Sequence, residues 1–101
     1  MAKWADYCIF EVHFNWQHTH IDGVRAFPDN GESLGAQVEF RREQVIALIR
    51  QGKKFITIFK KADGNWIQGQ LVFIITIRGV EYIKTVSDNT EKDNLDKLPE
   101  Y

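Results

Sequence analysis

The run Leu71-Val72-Phe73-Ile74-Ile75-Thr76-Ile77 constrains the fold more than any other stretch. It is apolar on both parities, which predicts a central strand covered, or nearly covered, on two faces. Arg78-Gly79 follows and places Gly second in a two-residue turn, the arrangement of type I′. Val80 to Val86 is then the returning strand.

Phe55 to Lys60 predicts another strand. Ala62-Asp63-Gly64-Asn65 forms a turn around Asp-Gly, so the strand carrying the apolar run begins at Trp66. Glu39 to Gln51 predicts the one helix. Val45, Leu48 and Ile49 recur at helical spacing with Ile46 alongside, while Arg41, Arg42, Glu43, Arg50 and Gln51 take the other positions. That apolar face is expected to pack on Phe55–Phe59 and Leu71–Ile77. Gly52 stands where a C′ glycine belongs, and Arg50 and Lys53 suit the negative end of the helix dipole.

Nearer the N-terminus, Tyr7 to Phe14 predicts a first strand. Cys8, Phe10, Val12 and Phe14 share its stronger apolar face, and Tyr7, Ile9, Glu11 and His13 its mixed face. Asn15 to Thr19 makes a turn. His20 to Phe27 reads as a second, weaker strand, in which Gly23 suggests a bulge. Pro28 to Ser33 is loop chemistry. The order is ββαβββ. This predicts one α+β domain over residues 1–101, with a mostly antiparallel, twisted sheet of about five strands and one packed helix.

Apolar residues make up 44% of the chain and charged residues 27%, which is a globular balance. The single cysteine, Cys8, cannot close an intrachain disulfide or build a multi-thiolate zinc site. With Asp6 where a signal peptide needs an apolar run, this points to a reducing cytoplasm. No stretch of 18 apolar residues offers a membrane span.

The net charge of −1 hides an uneven distribution. Residues 1–40 balance at −4 and residues 81–101 at −3. Residues 41–61 balance at +6, with Arg41, Arg42, Arg50, Lys53, Lys54, Lys60 and Lys61 against Glu43 alone. This basic island could meet an anionic partner such as nucleic acid, or be a solvated surface neutralised by the acidic ends. The overall pI of about 6.3 is far below that usual for a nucleic-acid binder.

His13, His18 and His20 are the only histidines and lie within eight residues. A three-His metal site needs all three to converge, and the stretch contains no carboxylate. The alternatives are a polar hairpin end or a weak metal site. Cys8 with His13 could suggest a thiol and its base, but strand parity puts them on opposite faces. No phosphate loop, His-Glu-x-x-His or nucleophile elbow occurs. No catalytic constellation and no cofactor follow. Trp16, in a turn, and Trp66, after one, read either as surface anchors or as covers for an open sheet end.

Several segments together resemble a known family. They are Met1-Ala2-Lys3-Trp4-Ala5-Asp6-Tyr7, His20-Ile21, Asp29-Asn30-Gly31-Glu32-Ser33-Leu34-Gly35, Val45-Ile46, Gly52-Lys53, and Asp63-Gly64-Asn65-Trp66 with Gly69. Gly79 before Tyr82-Ile83-Lys84-Thr85 and, most specifically, Asp93 to Tyr101 complete the pattern. The chain resembles a family of small prokaryotic proteins catalogued as domain of unknown function 3892, and departs from it at Phe59 and Phe73. The resemblance implies a single compact α+β domain and carries no activity, cofactor or catalytic residue. Asp93 and Asn94 can bond backbone amides while Leu95 and Leu98 bury, so residues 93–101 are expected to form an ordered C-terminal clasp.

The leading functional expectation is a small, non-enzymatic, cytoplasmic interaction module that contacts protein and is capable of self-association through sheet edges or an uncovered face. Its binding candidates are Trp16, His18 and His20. The second expectation is nucleic-acid association through the seven basic residues of 41–61. The third is a metal-binding or hydrolytic site at His13, His18 and His20.

Overall fold

The computed structural model describes residues 5–17, 20–31, 34–85, 95 and 98–101. Six strands and one helix follow in the order β1 (Tyr7–Phe14), β2 (Ile21–Pro28), β3 (Val38–Arg41), α1 (Arg42–Arg50), β4 (Phe55–Lys60), β5 (Trp66–Ile77) and β6 (Val80–Lys84). They make one sheet with spatial order β3-β2-β1-β4-β5-β6. The expected α+β domain with a mostly antiparallel sheet is what forms. The strand count and order are corrected, from about five strands in ββαβββ to six in βββαβββ.

The added strand is β3. Val38 and Phe40 turn inward while Glu39 and Arg41 are exposed, a period of two. The strand pairs antiparallel with β2, from Gly23↔Arg41 to Ala26↔Val38. The helix therefore begins at Arg42, three residues later than the pattern predicts. Gln44 sets the boundary, because its Oε1 accepts the Arg41 main-chain N–H at 2.8 Å. At the other end Gly52 adopts φ 93°. Its N–H donates to the Ile49 carbonyl at 3.0 Å, and the Lys53 N–H donates to the Leu48 carbonyl at 3.0 Å, which completes a Schellman stop.

One pair of neighbours is parallel. β1 meets β4 over Tyr7↔Phe55, Cys8↔Ile56 and Ile9↔Thr57, because the chain crosses between them through β2, β3 and α1. The Arg78-Gly79 turn has positive φ at both residues, 52° and 79°, as type I′ requires.

The two faces of the sheet are covered unequally. On one, Val45 of α1 is fully buried, with Ile46, Leu48 and Ile49 half-buried, over Ile9, Val12, Ile21, Val24, Phe55, Val72 and Ile83. Leu95 and Leu98 join that core. The other face holds a smaller cluster of Ala5, Cys8, Ile56 and Ile58, flanked by Phe10, Phe27, Leu34 and Trp66. Cover on that side is incomplete. Leu71, which pairs with Ile56, is 52% exposed, and Phe73 and Ile75 are half-buried. The expectation that Leu71–Ile77 is covered on two faces therefore fails at Leu71, since α1 lies on one side only.

A bulge redistributes β1. The β1–β2 register passes from Ile9↔Ala26 to Glu11↔Arg25, so Phe10 is an extra residue. Parity reverses there. Val12 joins Ile9 in the helix-side core, whereas Cys8 and Phe10 line the opposite face. The single-face grouping of Cys8, Phe10, Val12 and Phe14 is thereby corrected. A second shift skips Asp22, beside Gly23, near the irregularity that glycine predicts.

Candidate functional site

The hairpin corner between β1 and β2 is closed by one main-chain bond and one bond to the Asn15 side chain. The Asn15 N–H donates to the His20 carbonyl at 2.9 Å, and the His20 N–H donates to Asn15 Oδ1 at 3.3 Å. Trp16 at its tip is 87% exposed. His13 and His20 look in different directions. His13 is exposed, and its Nδ1 donates to the main-chain oxygen of Tyr101. His20 stacks on Tyr82 of β6, with ring centroids 5.5 Å apart and planes 19° apart. That contact shows how strongly the sheet curls, because β2 and β6 are four positions apart in it. His18 lies outside the described residues. Among the described residues, no group of three or more His, Cys, Asp or Glu comes together in a way that could hold a metal ion.

The bulge also changes the relation between Cys8 and His13. Counting through Phe10 puts both on the face away from α1, which corrects the opposite-face argument. Five residues of strand, about 16 Å, still separate them. Burial, helped by the nearby Asp29 carboxylate, pushes the Cys8 thiol up to about 12. A thiol in that state is a poor nucleophile at neutral pH.

The seven basic residues of 41–61 fall into two groups, one along α1 and one at the far end of β4. Arg41 and Arg42 lie at the start of α1, Arg50 ends it, and Lys53 and Lys54 follow. Lys60 and Lys61 lie at the far end of β4, six residues or about 20 Å of strand from Lys54. Two of them already have partners on β6. Arg42 donates to the Glu81 carbonyl, and Arg50 pairs with the Glu81 carboxylate. Arg41, Lys53, Lys54, Lys60 and Lys61 are exposed.

A different place concentrates charge and aromatic surface. Arg25 of β2 reaches Glu11 on β1 and Glu39 on β3, each at 3.2 Å. Both carboxylates hold its guanidinium more firmly protonated, with the Glu11 hydrogen bond the larger cause. Its Cζ also lies 4.0 Å from the centre of the Tyr101 ring. Pro99 to Tyr101 run beside β1. The Val12 N–H donates to the Pro99 carbonyl at 2.9 Å, and the Tyr101 N–H donates to the Val12 carbonyl at 3.0 Å. Burial raises the Tyr101 phenol.

Beside this segment the sheet splits. Pairing between β1 and β4 ends at Ile9–Thr57, and the terminal segment bridges β1 again at Val12. Between these points lies a cleft of about 510 Å³. Phe10 and Phe27 stack at 4.4 Å with planes 14° apart, and Trp66 presents edge-on to both at 5.6 Å. Ile58 and Pro99 add apolar wall, with Glu11 and Lys60 among the lining residues. Trp66 is thus half-buried against the open sheet face, the covering use weighed for it. Phe10 and Phe27 meet as diagonal neighbours on one face, since Cys8, two residues before Phe10, pairs with Phe27; no signal in either segment alone marks them as partners.

Fold and cleft together define a small α+β domain with a mixed six-stranded sheet and one covered face. The family described as protein of unknown function (DUF3892) matches residues 8–99, and the chain belongs to it. No curated protein and no solved structure matches the chain.

Proposed function

We propose that the chain is a small, non-enzymatic binding module that captures a protein partner through the β1–β2 hairpin corner. The observation that carries this reading is Trp16, 87% exposed at a tip whose backbone is closed by two hydrogen bonds. Burying an indole held on a closed tip gives large contact area at little ordering cost, and Trp is enriched at interface hot spots. His18 and His20 are the polar neighbours in the proposal. The open sheet face around Leu71 supplies a second surface, open also to self-association.

A prokaryotic cytoplasm is the proposed setting. Its support is the single thiol, Cys8, buried and unsuited to a disulfide. Among the described residues no helix is long and apolar enough to cross a membrane. Nucleic-acid binding has less support, because Arg42 and Arg50 are already engaged by Glu81 and Lys60 and Lys61 lie apart from the other basic residues at the far end of β4.

The test uses wild-type protein and Trp16→Ala as paired baits in extract of the source cells, with light scattering on each. The expected result is a partner, or a dimer, retained by wild type and lost from the variant, with both equally folded. A wild type that is strictly monomeric and retains nothing overturns the reading, as does equal retention by both baits.

A further inference from the structure

We propose that the split between β1 and β4 is a ligand site for a small organic monoanion, a carboxylate carried on an aromatic body. The inference is independent of the hairpin reading.

The volume comes first. A cleft of about 510 Å³ falls within the range of about 300–1,000 Å³ typical of small-molecule sites. It opens where two parallel neighbours part at their C-terminal ends, so its walls belong to strands held by β2 and β5 on their outer sides. Such walls are pre-formed and lose little freedom on binding.

The lining selects the body of the ligand. Phe10, Phe27 and Trp66 hold one another in stacked and edge-on contact, leaving a fixed apolar surface. Planar rings pack on such surfaces in offset or edge-on geometry, beyond their area burial alone.

Charge selects the head group. Lys60 is exposed, with Nζ 5.8 Å from the Trp66 ring centre, and Lys61 follows it. Glu11 is the one acid in the lining, and its carboxylate is held by Arg25, which it shares with Glu39, at 3.2 Å. The exposed charged side chain in the lining is the Lys60 cation. One ammonium over one ring suits one carboxylate at the mouth, with the ring directed inward.

The full chain is titrated with 3-phenylpropionate and, separately, with neutral 3-phenylpropanol, following amide and indole resonances by NMR. The site predicts saturable shifts centred on the Trp66 indole, Phe10 and Ile58. Lys60→Met keeps an apolar stem at an exposed position. It is expected to weaken the carboxylate about fivefold while leaving the alcohol unchanged. The proposal is overturned by an absence of saturable shifts, by shifts centred elsewhere, or by equal carboxylate binding in the variant. Dilution-dependent shifts in the same residues without ligand would assign the cleft to a second copy and also overturn it. Trp16→Ala is expected to bind 3-phenylpropionate like wild type, which separates this result from the hairpin test.

Discussion

The guanidinium carbon of Arg25 lies 4.0 Å from the centre of the Tyr101 ring, so a central strand is tied to the last residue of the terminal segment. The same ring leans over β2, where its hydroxyl lies 3.1 Å from the place a Cβ on Gly23 would occupy. Tyr101→Phe retains the stacking and is expected to change Tm little. Tyr101→Ala removes it and is expected to lower Tm by about 3–6 °C. With Arg25→Met the two losses should be less than additive, since each variant removes the same contact. Thermal unfolding of wild type, the three single variants and the Tyr101→Ala/Arg25→Met double variant checks this.

Gly69 is the position least able to accept a side chain. A Cβ there would overlap the Thr57 hydroxyl and stand 2.7 Å from the Thr57 carbonyl and 2.8 Å from Phe59. Backbone cannot move aside as a flexible side chain can. Gly69→Ala is expected to destabilise by about 3 kcal/mol, read from urea unfolding. A cost below the effect of a typical surface substitution would show that β4 and β5 can part at this crossing.

Cys8 predicts a pH dependence. The unfolded thiol ionises from about 9 and the folded one at about 12. Between those values the unfolded chain has released the proton that the folded chain retains, so stability falls as pH rises. The contribution is fully present below pH 9. In native protein at pH 8, labelling by a disulfide reagent should be slower than in urea by about three orders of magnitude, from thiolate fraction alone. Cys8→Ala should flatten the alkaline fall in stability.

Leu95 is 1% exposed within the helix-side core, although the segment before it is polar. Leu95→Ala is expected to cost about 3 kcal/mol, a Tm drop of about 10–20 °C for a domain this size. A surface leucine such as Leu71 should cost far less on the same substitution. Comparing the two by calorimetry tests whether the terminal leucines belong to the core or merely rest on it.

Much of the sheet was legible because its strands alternate or end in recognisable turns. Arg78-Gly79 and the strands on either side of it are the clearest case. β3 was absorbed into the helix because Arg41 passes straight into Arg42, with no Gly or Pro between them to mark the change of period. The β1 faces were misassigned because alternation assumes that no residue is inserted, and Phe10 is one. The aromatic cleft was hidden for a related reason. Its walls come from Phe10, Phe27, Trp66 and Pro99, which no local spacing connects. For Trp16 the turn was legible, but the choice between surface anchor and sheet-end cover was not, since local spacing does not fix exposure; the structure leaves it 87% exposed.

The pairing of Pro99–Tyr101 with Val12 also bears on how the chain is made. His13 and Tyr101, in contact across this seam, are 88 positions apart. A ribosome releases β1 well before its companion segment. Until then Val12 lacks two main-chain partners, and the core lacks Leu95 and Leu98. Contacts this distant in sequence form slowly. The nascent domain therefore waits, incompletely sealed, until Leu95, Leu98 and the Pro99–Tyr101 segment dock.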